Sequence, residues 1–245
     1  MTGLKDSKGI LVKTGNVLNL NDILKKPGQQ SSDELLECLK ITLADSNRSS
    51  NEDLCVITGK EPVYTEDIDP KELVITVKVF LNSGSVETLK SALDNCVEYL
   101  SAPVLGSLVL AYQREKFSIQ ELHSLWTVLE DYTRHGKLER IGISDLDTDS
   151  FIELYNWSSI KPSLVQLGLA GCCVVPPKLQ DFAKAHDIQL LTHGDPADIL
   201  PQERLQQLLP EVTKQEQWFV CRFQGHIKCR GVLATKGYIV GIRLG

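Results

Sequence analysis

The feature that most constrains this chain is an alternation that begins at residue 73 and runs for more than a hundred residues. "LVITVKVFL" is a β-branched run long enough for a buried strand, and "SVETLKSALDNCVEYL" follows with apolar residues at helical spacing and Ser85 as its cap. "SLVLAY" reads as a strand, and "SIQELHSLWTVLEDYTRHG" as a helix capped by Ser118 and stopped at Gly136. The pattern repeats in "RIGISDL" and "TDSFIELYNW", in "LVQLGLA" and "PPKLQDFAKAHD", and in "IQLLTH" and "DPADILPQERLQQLL", the last broken at Pro201. Strands that alternate with helices across short connections imply parallel βαβ units, in an open doubly wound sheet or a (β/α)8 barrel. No G-x-G-x-x-G follows any of these strands, which disfavours the dinucleotide-binding open sheet. The barrel is the expected architecture, as one domain spanning residues 1–245.

Before residue 73 the signals are sparser. "ILVKTGNVL" is a strand candidate, and "SSDELLECLKITLAD" a helix with Ser31 or Ser32 as its cap. The stretches 45–53 and 61–72 are polar or proline-bearing and read as loops. A formal net charge of −6 gives no electrostatic reason to expect nucleic acid or an anionic membrane as partner. No apolar run approaches the roughly 20 residues that span a bilayer. The polar N-terminus does not resemble a secretory signal, and seven irregularly spaced cysteines form neither a disulfide framework nor a zinc site. A reduced, cytoplasmic protein is expected.

Several residues invite a chemical role. Cys172 and Cys173 are adjacent, just beyond a strand, where loops of a barrel gather; they are either small packing side chains or reactive thiols. Cys229 has Lys228 and Arg230 beside it, which favours its thiolate, and with Lys236 these form a basic segment. Cys38 and Cys96 fall on helix faces and belong in the core. Trp126, Trp157 and Trp218 are core candidates, with Trp218 also a candidate interface anchor. Asp145, Asp147 and Asp149 are spaced like metal ligands but lack the rest of a calcium loop, so a helix-capping turn is the simpler reading.

Between residues 73 and 196 the chain resembles the aldo-keto reductases. "DPKELVITVKVF" is similar to that family's "R-E-x-L-F-I-T-S-K" strand, "HGKLERIGISDL" to "E-G-K-I-R-A-I-G-V-S-N-F", and "IKPSLVQLGL" to "I-K-P-x-V-N-Q-V-E". The resemblance implies a barrel that binds NADPH and places Lys78 at the family's catalytic lysine. Carbonyl reduction also needs a tyrosine to give the proton, an aspartate to hold the lysine, and a histidine. Tyr112 stands where the histidine belongs, and nothing between residues 23 and 70 matches the aspartate–tyrosine segment. Ser144 and Gln166 match the pair that binds the nicotinamide carboxamide, but Asp145 replaces the asparagine, and an ionised carboxylate cannot donate a hydrogen bond. His193 falls at or near the ring-stacking tyrosine. The family's 2′-phosphate segment has no counterpart after "RGVLATKGYIVGIRLG". Lys78, Tyr112, Ser144, Asp145, Gln166 and His193 are therefore expected to be vestiges, with weak or absent NADPH binding, no metal and no reductase activity. The barrel is expected to be degenerate and shortened at its C-terminus.

"GISDLDTDSFIELYNW", "AGCCVVPPKLQDFAKAHDIQLLTHGDP" and "KCRGVLATKGYIV" are similar, more specifically, to the modifier (regulatory) subunits of glutamate–cysteine ligase, an aldo-keto-related family. That resemblance implies a non-catalytic partner of the ligase's catalytic heavy subunit in a heterodimer. It would improve glutamate use, relieve glutathione inhibition, and carry Cys172, Cys173 or Cys229 as a redox-responsive contact. An NADPH-dependent reductase with Tyr112 as an unusual donor, or a cofactor-binding sensor, is the alternative.

Overall fold

A computed structural model describes residues 7–20, 28–50, 53–111, 118–168, 175–210 and 215–244. Tyr112, Cys172 and Cys173 lie outside these described residues. Ten strands form one sheet: β1 (Gly9–Lys13), β2 (Ser46–Ser50), β3 (Cys55–Gly59), β4 (Leu73–Leu81), β5 (Ser107–Ala111), β6 (Ile141–Ser144), β7 (Leu164–Gly168), β8 (Gln189–His193), β9 (Gln215–Ile227) and β10 (Leu233–Leu244). Their spatial order is β2-β3-β1-β10-β9-β4-β5-β6-β7-β8. Strands β4 to β8 run parallel, as the alternation requires. Their crossovers contain helices α2 (Val86–Leu100), α3 (Ile119–Arg134), α4 (Thr148–Trp157) and α5 (Pro177–Ala185).

Beyond β4 the sheet is mixed. The long antiparallel β9–β10 hairpin joins β4 on one side to β1 on the other, and β1 pairs parallel with β3. Here the sheet departs from the all-parallel order of a (β/α)8 barrel. Among the described residues no ladder joins β8 to β2, so the sheet ends at those two strands.

Each strand sends alternate residues to opposite faces, and the two faces have separate cores. Ile75, Val77, Val79 and Leu81 of β4 pack with α2 to α5 around the fully buried Trp126 and Phe151. The opposite, inner face carries Phe80, Ala111, Val220, Tyr238 and Ile242, covered by α1 (Ser31–Ala44) and α6 (Gln202–Leu208).

Most expected boundaries hold. Ser85 Oγ accepts from the Thr88 N–H, and Ser118 and Glu121 form a reciprocal capping box. Gly136 takes the left-handed conformation that follows the C-terminus of α3. Asp147 caps α4, so the acidic turn serves a helix end. Cys38, Cys96 and Trp126 are buried, and Trp218 is buried in the inner core instead of standing at the surface; Trp157 is 45% exposed.

Four expectations are corrected. Gln30, not a serine, precedes α1, and no side chain caps that helix. The polar stretch 45–53 contains β2, which pairs antiparallel with β3; an edge strand needs no apolar pattern because its outer side faces water. Helix after residue 195 is confined to Gln202–Leu208, because Pro201 sits at its N-cap. Finally, 215–244 form two long strands where the sequence looked least regular. Gly237 and Gly241 dilute the strand signal there, yet each stands opposite a phenylalanine in the ladder, Phe223 and Phe219 respectively. The phenyl ring lies where a β-carbon on either glycine would be. Gly241→Val should therefore destabilise the protein by about 1–3 kcal/mol through overpacking, measured by denaturant unfolding, while Gly194→Ala, where a β-carbon meets open space, leaves the midpoint unchanged.

Candidate functional site

The site lies where the C-terminal ends of β6, β7 and β8 meet the middle of β4 and β9. Lys78 is the third inner-facing residue of β4, after Val74 and Thr76, and is buried. Its Nζ donates to Asp195 Oδ2 at 2.9 Å. Asp195 lies just past β8, and Arg222, the cross-strand neighbour of Lys78 on β9, grips the same carboxylate with both arms at 2.5 and 2.9 Å. The Phe80 ring lies beside both cations, with its centroid 5.3 Å from Lys78 Nζ and 5.7 Å from Arg222 Cζ.

Histidine and a second carboxylate extend the cluster. The Asp195 N–H donates to His193 Nδ1 at 3.2 Å, which leaves Nε2 to carry the hydrogen that Asp145 Oδ1 accepts at 2.8 Å. The same Asp145 oxygen accepts from the Gly168 N–H at 3.1 Å. Asp145 has φ +64°, a conformation that aspartate and asparagine enter more readily than most residues. Asp145 thus combines a turn of positive φ with a side chain that binds a histidine.

The charges are settled by competition for one carboxylate. Burial would raise the Asp195 pKa, but the Arg222 guanidinium and then Lys78 hold it well below the usual 3.8. Burial works against the charge of Arg222 too, and its bonds to Asp195 outweigh that and raise its pKa. Lys78 has the smaller share: burial pulls its ammonium below 10.5 despite Asp195. For Asp145 the burial cost is outweighed by the hydrogen bond and charge of His193, so its pKa is lowered.

A carbonyl reductase needs a tyrosine hydroxyl against the lysine. Among the described residues no tyrosine is bonded to Lys78. Tyr64 donates to the Leu100 carbonyl at 2.7 Å. Tyr238, fully buried on β10, donates to Glu34 Oε1 at 2.6 Å, and Lys236 bonds Glu34 as well. Burial, then Glu34, pushes the Tyr238 pKa far up, which makes it a poor proton donor. Ser144 and Gln166 stand on paired positions of β6 and β7; the Ser144 side chain helps to lower the Asp145 pKa, and Gln166 Oε1 is buried with no hydrogen-bond partner among the described residues.

A scan against protein-family models finds no match. Among curated proteins, the human glutamate–cysteine ligase regulatory subunit is 34% identical over 257 residues, covering 97% of this chain and 93% of that protein. The mouse counterpart is 34% identical over 94% of this chain and 90% of its own length. The chain belongs to the glutamate–cysteine ligase regulatory subunit family. More distantly, a glyoxal reductase of Bacillus subtilis is 25% identical over 66% of this chain. A solved aldo-keto reductase from a deep-sea metagenome library superposes with a TM-score of 0.40 at 19% identity, over 47% of this chain and 41% of that one, which is too partial to add to the strand order above.

In this regulatory-subunit family member the sequence-derived candidates Lys78, Asp145 and His193 converge, with Ser144 and Gln166 on the adjoining strand ends. Asp195 and Arg222 were missed. Asp195 lies inside the "LLTHGDP" segment that marks the family, which was the available signal; Arg222 had none, because β9 itself was not legible. Cys229 is exposed at the β9–β10 turn with φ +66°. The basic segment is split: Lys228 donates to the Lys71 carbonyl near that turn, whereas Lys236 is paired with Glu34.

Asp195→Asn should destabilise the fold by about 3–5 kcal/mol, because two buried cations lose their counter-charge. Lys78→Met should cost clearly less, since Arg222 still satisfies Asp195. The acid dependence has a definite sign. A carboxylate with a depressed native pKa contributes stability that is complete above the unfolded value of 3.8 and is lost as pH falls below it towards the native value. Urea unfolding between pH 7 and pH 2 should show this loss in the wild type and a shallower one in Asp195→Asn.

Proposed function

We propose that the chain is a non-catalytic regulatory subunit that binds the catalytic heavy subunit of glutamate–cysteine ligase in the cytoplasm as a heterodimer. It improves glutamate use by that enzyme and relieves inhibition by glutathione. The observation that carries the reading is the fate of Lys78: within a chain of this family, the lysine of the reductase framework is ion-paired to Asp195, an anion it shares with Arg222, and among the described residues no tyrosine is bonded to it. A framework without a proton donor is free to serve as a binding surface. A binding partner changes an enzyme's constants only by preferring one of its states, and a tenfold change in substrate affinity requires about 1.4 kcal/mol of such preference. Addition of this chain to the purified catalytic subunit should lower the KM for glutamate and raise the glutathione concentration that half-inhibits. Unchanged constants despite complex formation, or no complex, would refute the proposal.

Tight NADPH binding does not fit these residues. Gln166 Oε1, without a partner among the described residues, suits a carboxamide, but the neighbouring Asp145 offers no donor and is held by His193 and Gly168. Dissociation in the high micromolar range or weaker is expected, about −5.5 kcal/mol or less favourable, with no NADPH oxidation in the presence of aldehydes or quinones. Gln166 Oε1 favours a second reading, a cofactor-binding sensor, which low-micromolar saturation of tryptophan fluorescence by NADPH would establish. Turnover lost on Lys78→Met or Tyr112→Phe would establish a reductase instead.

Oxidation should lock the complex if a thiol lies at the contact. The candidates are Cys172, Cys173 and the exposed Cys229, whose thiolate would attack a partner disulfide or sulfenic acid, forming an S–S bond and releasing thiolate or hydroxide. Non-reducing electrophoresis of the oxidised mixture should show a crosslinked band that disappears either in Cys172→Ser/Cys173→Ser or in Cys229→Ser; no band in any sample would assign these thiols to packing alone.

A further inference from the structure

The inner face of the sheet is covered by α1 and α6 over only part of its width. At the N-terminal ends of the parallel strands, the end opposite to Ser144 and His193, it encloses a cavity of about 520 Å³. Its wall mixes apolar residues such as Val109, Leu164 and Leu191 with a run of polar ones, where barrel interiors are ordinarily filled by branched apolar residues. Thr76 of β4, Ser107 of β5, Gln166 of β7, Gln189 of β8 and Gln224 of β9 contribute to it, with Arg140 at the entry to β6. Lys78 and Arg222 close its inner end, and the exposed Glu139 lies at its rim.

We propose that this cavity binds a small organic carboxylate. Three cations, Lys78, Arg140 and Arg222, line it against one carboxylate, Glu139. Asp195 behind the inner pair neutralises one of those charges, so the wall keeps a net charge of one positive unit. The guanidinium of Arg140 has five N–H donors, and its recorded bonds, to Gln189 Oε1 at 2.8 Å and the Ser163 carbonyl at 3.5 Å, both leave from Nη2. The remaining donors can meet a carboxylate as a fork. Gln166 lines this cavity, and its Oε1 has no hydrogen-bond partner among the described residues, although buried polar atoms nearly always have one. A ligand that brings an N–H or O–H beside its carboxylate satisfies it, as an amino acid or hydroxy acid does. The volume lies within the range of small-molecule pockets. The site is built by this chain alone and does not require the ligase.

The test is calorimetric titration of the isolated chain with L-glutamate, succinate and uncharged succinamide. Saturable binding of L-glutamate, with weaker succinate and no succinamide, is expected. Arg140→Gln should weaken it by tenfold or more, about 1.4 kcal/mol, and Gln224→Leu should do the same should Arg140→Gln not fold. Glu139→Gln should tighten it by about two- to threefold, the size of an exposed charge effect; a merely structural role for these residues would not give opposite signs. The proposal is overturned by the absence of saturable binding of either carboxylate, by equal binding of succinamide, by unchanged affinity in a folded Arg140→Gln, or by displacement of bound glutamate by equimolar NADPH.

Discussion

One carboxylate holds the centre of this molecule. Asp195 lies on the segment after β8, Lys78 on β4 and Arg222 on β9, so a single buried anion ties the loop beyond the parallel strands to two neighbouring strands of the sheet. Removing two cations and an anion from water is costly, and the cost is recovered only when geometry and hydrogen bonds are good. Here they are, with a two-armed guanidinium contact and a lysine at bonding distance. The arrangement also sets the state of the lysine: Asp195 holds its ammonium in place, but the stronger, two-armed partner of that carboxylate is Arg222.

The antiparallel β9–β10 hairpin has a comparable role at the level of the sheet. It supplies the half-buried Arg222 and the buried Tyr238, each bonded to an acid from another element, Asp195 and Glu34. The two clusters lie close enough for Arg222 to feel the charges of Tyr238 and Glu34. Polar networks of this sort favour one packing of the elements over others, since a shifted arrangement leaves charges unpaired. Helix α1, which has no side-chain cap, is thus fastened in part by Glu34.

Legibility of these features in the sequence follows from their periodicity. Strands β4 to β8 were visible because buried parallel strands read as apolar runs between amphipathic helices capped by serine or aspartate. Strands β9 and β10 were not, since Gly225, Gly237 and Gly241 weaken the local signal; Phe223 and Phe219 face the last two, and Thr235 faces Gly225. Strand β2 was hidden for the opposite reason, as an exposed edge needs no apolar residues. At the site, Lys78, Ser144, Asp145, Gln166 and His193 were legible through motifs tied to short segments. Asp195 and Arg222 were not, because an ion pair between residues 27 positions apart leaves no spacing rule behind it.

The pairing of β1 with β10 bears on how the chain folds as it is made. Gly9 lies opposite Arg243, so the first strand of the sheet waits for the last to be synthesised before its ladder can close. Strands β4 to β8, by contrast, join neighbours along the chain and can assemble while the ribosome is still working. Contacts between distant residues form slowly because a long loop must close first, and until then β4 offers an unpaired edge to whatever is nearby. A nascent chain of this topology is thus most in need of a chaperone in the interval just before β9 and β10 emerge.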